Sequence, residues 1–121
     1  MRDYRQYQVW QRSHEFTLAI YRVTETFPTT ERYSLTSQIR RASSSVPMNI
    51  AEGCGKHSDV DFARYLDIAA GSASELDYQL LLSHDLGFLD GPAYQELSSE
   101  LLEIRKMLTT LIGKVRGKGS C

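Results

Sequence analysis

Not one lysine or arginine occurs between residues 65 and 104 of this 121-residue chain, and not one acid after residue 104. Cysteine is scarce as well: Cys54 stands in a glycine-rich turn and Cys121 at the last position. Two such positions form neither a disulfide framework nor a repeated metal-ligand spacing, so free thiols in a reducing compartment are expected. Long apolar runs are missing too. No stretch of about 18 apolar residues is available to cross a bilayer, and the N-terminus "MRDYRQYQVW" lacks the apolar core of a signal peptide. The expectation is a cytoplasmic protein with no membrane partner.

The motifs of chemistry are thin. None of His14, His57 and His84 has a glutamate three residues before it, which removes the Glu-x-x-His pairing of a di-iron bundle. Cys54 and His57 make a lone C-x-x-H with Asp59 and Asp61 nearby, a spacing that a capped turn explains better than four convergent zinc ligands. The segment "GCGKH" fails as a phosphate loop, because Ile50 stands where that pattern needs glycine and His57 where it needs serine or threonine. No serine sits in a nucleophile elbow and no motif pairs two carboxylates. The chain is read as a non-enzyme without cofactor or metal.

What the chain does have is helical periodicity, in four stripes. The first is Val9, Phe16, Ile20, Val23 and Phe27, with Ser13 in its one polar slot, and Pro28 ends it. The second is Leu35, Ile39, Ala42, Val46, Ile50 and Cys54, closed by Gly53 and Gly55 as helix caps. The third is Phe62, Leu66, Ala69, Ala73, Leu76 and Leu80, capped by Ser58 and stopped by Gly87. The fourth is Tyr94, Leu97, Leu101, Ile104, Leu108, Leu111 and Val115, capped by Asp90 with Pro92 in its first turn. Helices over roughly 8–27, 34–54, 59–86 and 92–116, with a basic tail at 117–121, make one domain over 1–121. Short connectors favour an all-α, antiparallel up-down-up-down four-helix bundle.

Pro47 interrupts the second stripe chemically, because it has no amide for the carbonyl of Ser43 and its ring crowds that oxygen. The apolar phase runs unbroken from Ala42 through Val46 to Ile50, which favours one Pro-kinked helix, eased by Ser43, Ser44 and Ser45 bonding back to main-chain carbonyls. A fresh helix capped by Ser45 is the alternative. Gln38, Ser45, Asn49, Glu52 and Lys56 draw a polar line on this helix, with Arg41 beside it. The spacing suits a hydrogen-bonding surface for a partner, and equally a solvated face.

The stretch "YSLTSQIRRASSSVPMNIAEGCGKHSDVDFARYL", residues 33–66, resembles the signature of the small four-helix-bundle family encoded in intervening sequences of bacterial 23S ribosomal RNA genes. The similarity extends through "VWQRSHEFTLAIYRVTETFP" before it and "GSASELDYQLLLSHDLGFL" after it. Ser43, Ser44 and Met48 depart from the common pattern. The resemblance implies a four-helix bundle and, as in the related accessory variability proteins of diversity-generating retroelements, a ring-shaped homopentamer with a central channel. Nucleic-acid binding is the role usually suggested for such proteins.

Charge offers two places for nucleic acid, RNA or DNA. "RDYRQYQVWQR" interleaves Arg2, Arg5 and Arg12 with Tyr4, Tyr7 and Trp10, a mixture on which single strands stack. Arg40 and Arg41, assisted by Arg105 and Lys106, are the expected phosphate or inter-subunit contacts, with Lys114, Arg116 and Lys118 further along. An ion pair of Arg41 with Glu52, or with an acid of another subunit, is the structural alternative. Trp10, Leu81, Leu82, Leu102, Met107 and Ile112 lie beside the main stripes and are expected at a contact between copies or with another protein, and the segregated charges could pair across that contact.

Overall fold

The computed structural model describes residues 2–118. Four helices account for most of them: α1 over Gln8–Val23, α2 over Leu35–Cys54, α3 over Asp59–Asp85 and α4 over Gly91–Lys118. Among the described residues there is no strand. The first apolar stripe extends beyond α1 itself, because a 3-10 turn at Thr24–Thr26 carries it to Phe27. Helix α4 continues through residues 117 and 118, so the expected basic tail begins as helix, and its residues 119–121 lie outside the described residues.

The ends of the helices follow from local chemistry. Ser58 accepts the Asp61 amide at 3.1 Å and Asp90 accepts the Ala93 amide at 2.8 Å, each occupying a donor that helix geometry leaves free. Helix α3 stops at Gly87, whose φ of 83° is open to glycine at no steric cost. There the Gly87 amide reaches the His84 carbonyl and the Phe88 amide the Ser83 carbonyl, both at 2.9 Å. The expected capping pair at the end of α2 needs correction. Gly55 occupies the cap with an ordinary right-handed φ of −80°, whereas Gly53 is buried inside the helix for another reason. A β-carbon there would stand 2.9 Å from Phe62 Cδ1 and 3.0 Å from Tyr65 Cβ, so Gly53 is what lets α2 and α3 approach.

Cross-helix contacts fix the topology. Thr24 meets Arg40 while Thr17 meets Ser43, so α1 and α2 run oppositely. Ser45 meets Ser72 while Gly53 meets Phe62, which reverses α3 on α2. Asp77 meets Arg105 while Asp67 meets Arg116, which reverses α4 on α3. Arg12 on α1 bonds Glu100 on α4 and closes the bundle. Ile20, Ile39, Ile50, Phe62, Leu66, Leu76, Leu80, Leu101, Ile104 and Leu108 form the fully buried centre. Each removes enough apolar surface from water to contribute about 1.5–3 kcal/mol.

Helix α2 runs through Pro47 without a break, which sets aside the reading in which Ser45 caps a new helix. The Ser43 carbonyl that Pro47 cannot serve accepts the Thr17 hydroxyl of α1 at 2.9 Å. Ser43 and Ser44 bond back to the carbonyls of Arg40 and Arg41 at 2.9 and 3.2 Å, but Ser45 turns instead to Ser72 at 2.8 Å. The small residues of α3 divide similarly: Ala69 and Ala73 are wholly buried, whereas Gly71 is exposed, and a β-carbon there would meet nothing within 4 Å.

Candidate functional site

Arginines 40 and 41 are adjacent in sequence but separate in role. Arg40 Nε donates to Thr24 Oγ1 at 2.8 Å, and its second terminal nitrogen to the Tyr21 carbonyl at 3.1 Å. Its guanidinium lies 4.8 Å from the Tyr21 ring centre. A cation placed on the last carbonyls of α1 satisfies groups that have no helical partner and complements the negative end of the helix. Arg41 is exposed, and Glu52, its expected partner, instead faces Lys56 at 4.0 Å.

Next to Arg40 and Arg41 the chain enters α2 through an arginine and an almost bare tyrosine, Arg32 and Tyr33, the latter 89% exposed. Together with Tyr21, Thr36, Ser37 and Ser44 these residues line an open depression of about 450 Å³ that contains no carboxylate. Glu31, adjacent in the chain, accepts the Ser34 hydroxyl at 2.9 Å and the Leu35 amide at 3.4 Å. Thr36 is only 7% exposed, and its hydroxyl has no hydrogen-bond partner. Neither Tyr33 nor Arg32 stands out from sequence spacing, since both lie in a connector.

The remaining expected contacts are dispersed. Arg105 approaches Asp77 at 3.7 Å and Ser74 at 3.2 Å on the α3 side of α4. Lys106 faces Glu103 at 3.5 Å and lines the seam between α4 and α1. The polar line of α2 likewise breaks up. Asn49 donates to the Ser45 carbonyl at 2.8 Å and to its hydroxyl at 3.0 Å, which joins both to Ser72, while Gln38 is exposed. Glu52 and Lys56 form their own pair one turn on.

The N-terminal mixture of arginines and rings is occupied internally, against expectation. Arg2 pairs with Asp59 and covers the Phe62 ring at 4.2 Å. Tyr4 meets Trp10 edge-on at 4.8 Å, and Trp10 stacks on His14 at 5.0 Å. Arg12 makes a two-pronged contact with Glu100, at 3.0 and 2.7 Å, which holds its guanidinium above the ordinary arginine range. The acidic block of α3 also finds basic partners inside the chain, because the antiparallel turn into α4 sets Asp67 against Arg116 and Asp77 against Arg105. Those charges are consequently less available between copies than the sequence implies.

Chemistry at the one described cysteine is muted. Cys54 is buried, and that burial pushes its thiol up to about 11, with Arg2 opposing the shift. At neutral pH it is a protonated, apolar-like side chain. Among the described residues no group of three or more His, Cys, Asp and Glu is placed to hold a metal ion, and no helix is long and apolar enough to cross a membrane.

Comparison with known proteins finds both a matching family and matching solved structures. A family model described as 23S rRNA-intervening sequence protein matches residues 5–110. The chain is also similar to a solved structure, a protein of unknown function from the S23 ribosomal protein family of Bacteroides thetaiotaomicron VPI-5482. The two are 28% identical and superpose with a TM-score of 0.80, over 86% of this chain and 94% of that one. No curated protein matches.

Proposed function

We propose that this chain, which belongs to the 23S rRNA-intervening sequence protein family, works as a non-enzymatic binding or scaffolding protein assembled from copies of itself. Five copies is the number that its family resemblance implies. The observation that carries the reading is apolar surface left outside a finished core. The register that sets Asp77 against Arg105 and Asp67 against Arg116 puts Leu81 level with Leu102 on the α3–α4 face. These leucines are 41% and 50% exposed, and Ile68 and Tyr78 of α3 are exposed as well. Several large apolar side chains on one pair of helices suit a protein contact, where a central apolar patch is ringed by polar groups. Trp10, Met107 and Ile112, also expected at a contact, are partly buried against the chain's own core and have less to offer a neighbour.

Leu81→Glu and Leu102→Glu test this. Both positions are open enough for the monomer to keep its helices, so a contact between copies predicts a drop in sedimentation coefficient with unchanged circular dichroism. Unchanged sedimentation in the double variant overturns the placement of the contact.

The reading in which the protein binds nucleic acid has a different support, the carboxylate-free depression around Tyr33, Arg40 and Arg41.

A further inference from the structure

We infer that the depression between the end of α1 and the start of α2 is a nucleotide site, in which Tyr33 stacks on a base while Arg32 and Arg41 take the phosphate. This rests on the binding role proposed above, not on self-assembly.

Three observations converge. The depression is lined by Tyr21, Arg32, Tyr33, Thr36, Arg40 and Arg41 among others, with no acid in its wall. Flat rings beside guanidinium groups are the combination that accepts a base and its phosphate together, because the ring offers its face and arginine offers paired donors. Arg40 is already fixed by Thr24 and the Tyr21 carbonyl, so it holds Tyr21 and contributes charge at little further cost in side-chain freedom. Arg32, Tyr33 and Arg41 are exposed.

Thr36 lines the wall of this depression, but its hydroxyl is enclosed beneath the surface. Glu31 already accepts the Leu35 amide at the start of α2. The exposed Arg32 and Arg41 are therefore the groups that meet a phosphate, with the exposed Tyr33 beside them for a planar ring.

A free mononucleotide and a nucleotide within a single strand share that chemistry, and one titration separates them. A fluorescein-labelled single-stranded RNA of about ten nucleotides is followed by anisotropy at low salt, then challenged with adenosine monophosphate and with inorganic phosphate. The expected result is binding that Tyr33→Ala weakens about tenfold. Arg32→Ala and Arg41→Ala each reduce the salt dependence by about one phosphate contact, while Arg64→Ala, at the other end of the bundle beside Asp61, leaves binding unchanged. Displacement by the mononucleotide assigns the site to a free nucleotide; retention assigns it to a strand.

Equal affinity of wild type, Tyr33→Ala and Arg41→Ala, or no anisotropy change at all, overturns the inference. A chain that assembles without binding fails this inference alone, and a monomer that binds fails only the self-assembly.

Discussion

The hydroxyl of Thr17 on α1 lies 2.9 Å from the carbonyl oxygen of Ser43 on α2, the acceptor that loses its helical donor because residue 47 is proline. The same hydroxyl is 2.9 Å from the Ser13 carbonyl, so its single hydrogen is shared between the two helices. A defect in one helix is thereby satisfied by its neighbour, and the position of α1 along α2 is tied to it.

Thr17→Val removes that donor and leaves a buried carbonyl unpaired, at a cost of about 1–3 kcal/mol. In a Pro47→Ala background the restored amide at position 47 serves the Ser43 carbonyl, and the same valine substitution costs less. Urea unfolding of the four proteins measures the difference as a coupling energy. Equal costs in the two backgrounds would contradict the assignment.

Glycines on two helices are expected to respond in opposite directions. Gly53→Ala places a carbon against Phe62 and Tyr65 and forces α2 from α3, costing about 1–3 kcal/mol. Gly71→Ala meets nothing within 4 Å on an exposed helix surface and is expected to stabilise by about 0.5–1 kcal/mol. Thermal unfolding of the two variants checks the pair.

The neighbouring arginines separate in the same way. Arg40→Ala takes a charged donor from the buried Thr24 hydroxyl and the end of α1, costing about 1–3 kcal/mol. Arg41→Ala changes stability by no more than about 0.5 kcal/mol, because the side chain is exposed. Similar losses from both would mean that Arg41 also serves the fold.

These cases show what could be read from the chain. The phase from Ala42 through Val46 to Ile50 predicted that α2 would continue past Pro47, because apolar spacing records which face is buried. It could not name Thr17, since a threonine that rescues a distant carbonyl has the same spacing as one facing water. Gly53 was legible as a helix stop and proved to be a contact, because only the neighbouring Phe62 decides between the two. Arg40 and Arg41 point about 100° apart on a helix of 3.6 residues per turn, and which of them meets α1 depends on a crossing that no local pattern encodes. Tyr33 and Arg32 were silent for a related reason: connectors carry no period, and the depression they line exists only once α1 has turned into α2.

Alkaline pH should loosen the end of the bundle that holds Cys54. Burial raises its thiol from 9.0 to about 11, and burial first, then the charge of Cys54, also raises the Tyr7 phenol. Between 9.0 and 11 the unfolded thiol gives up its proton while the folded one keeps it. The unfolded state then binds fewer protons, and stability falls as pH rises through that window. Cys54→Ala is expected to show a shallower decline in urea midpoint over the same range, whatever its starting stability. Parallel curves for the two proteins would contradict the shift.

Self-assembly is tested most directly by multi-angle light scattering of the wild-type chain during size-exclusion chromatography at high micromolar concentration. The predicted result is one species of several times the 13.8 kDa chain mass, five times for the implied ring. A single species of 13.8 kDa at that concentration would contradict it, and would leave Leu81 and Leu102 as surface for a different partner.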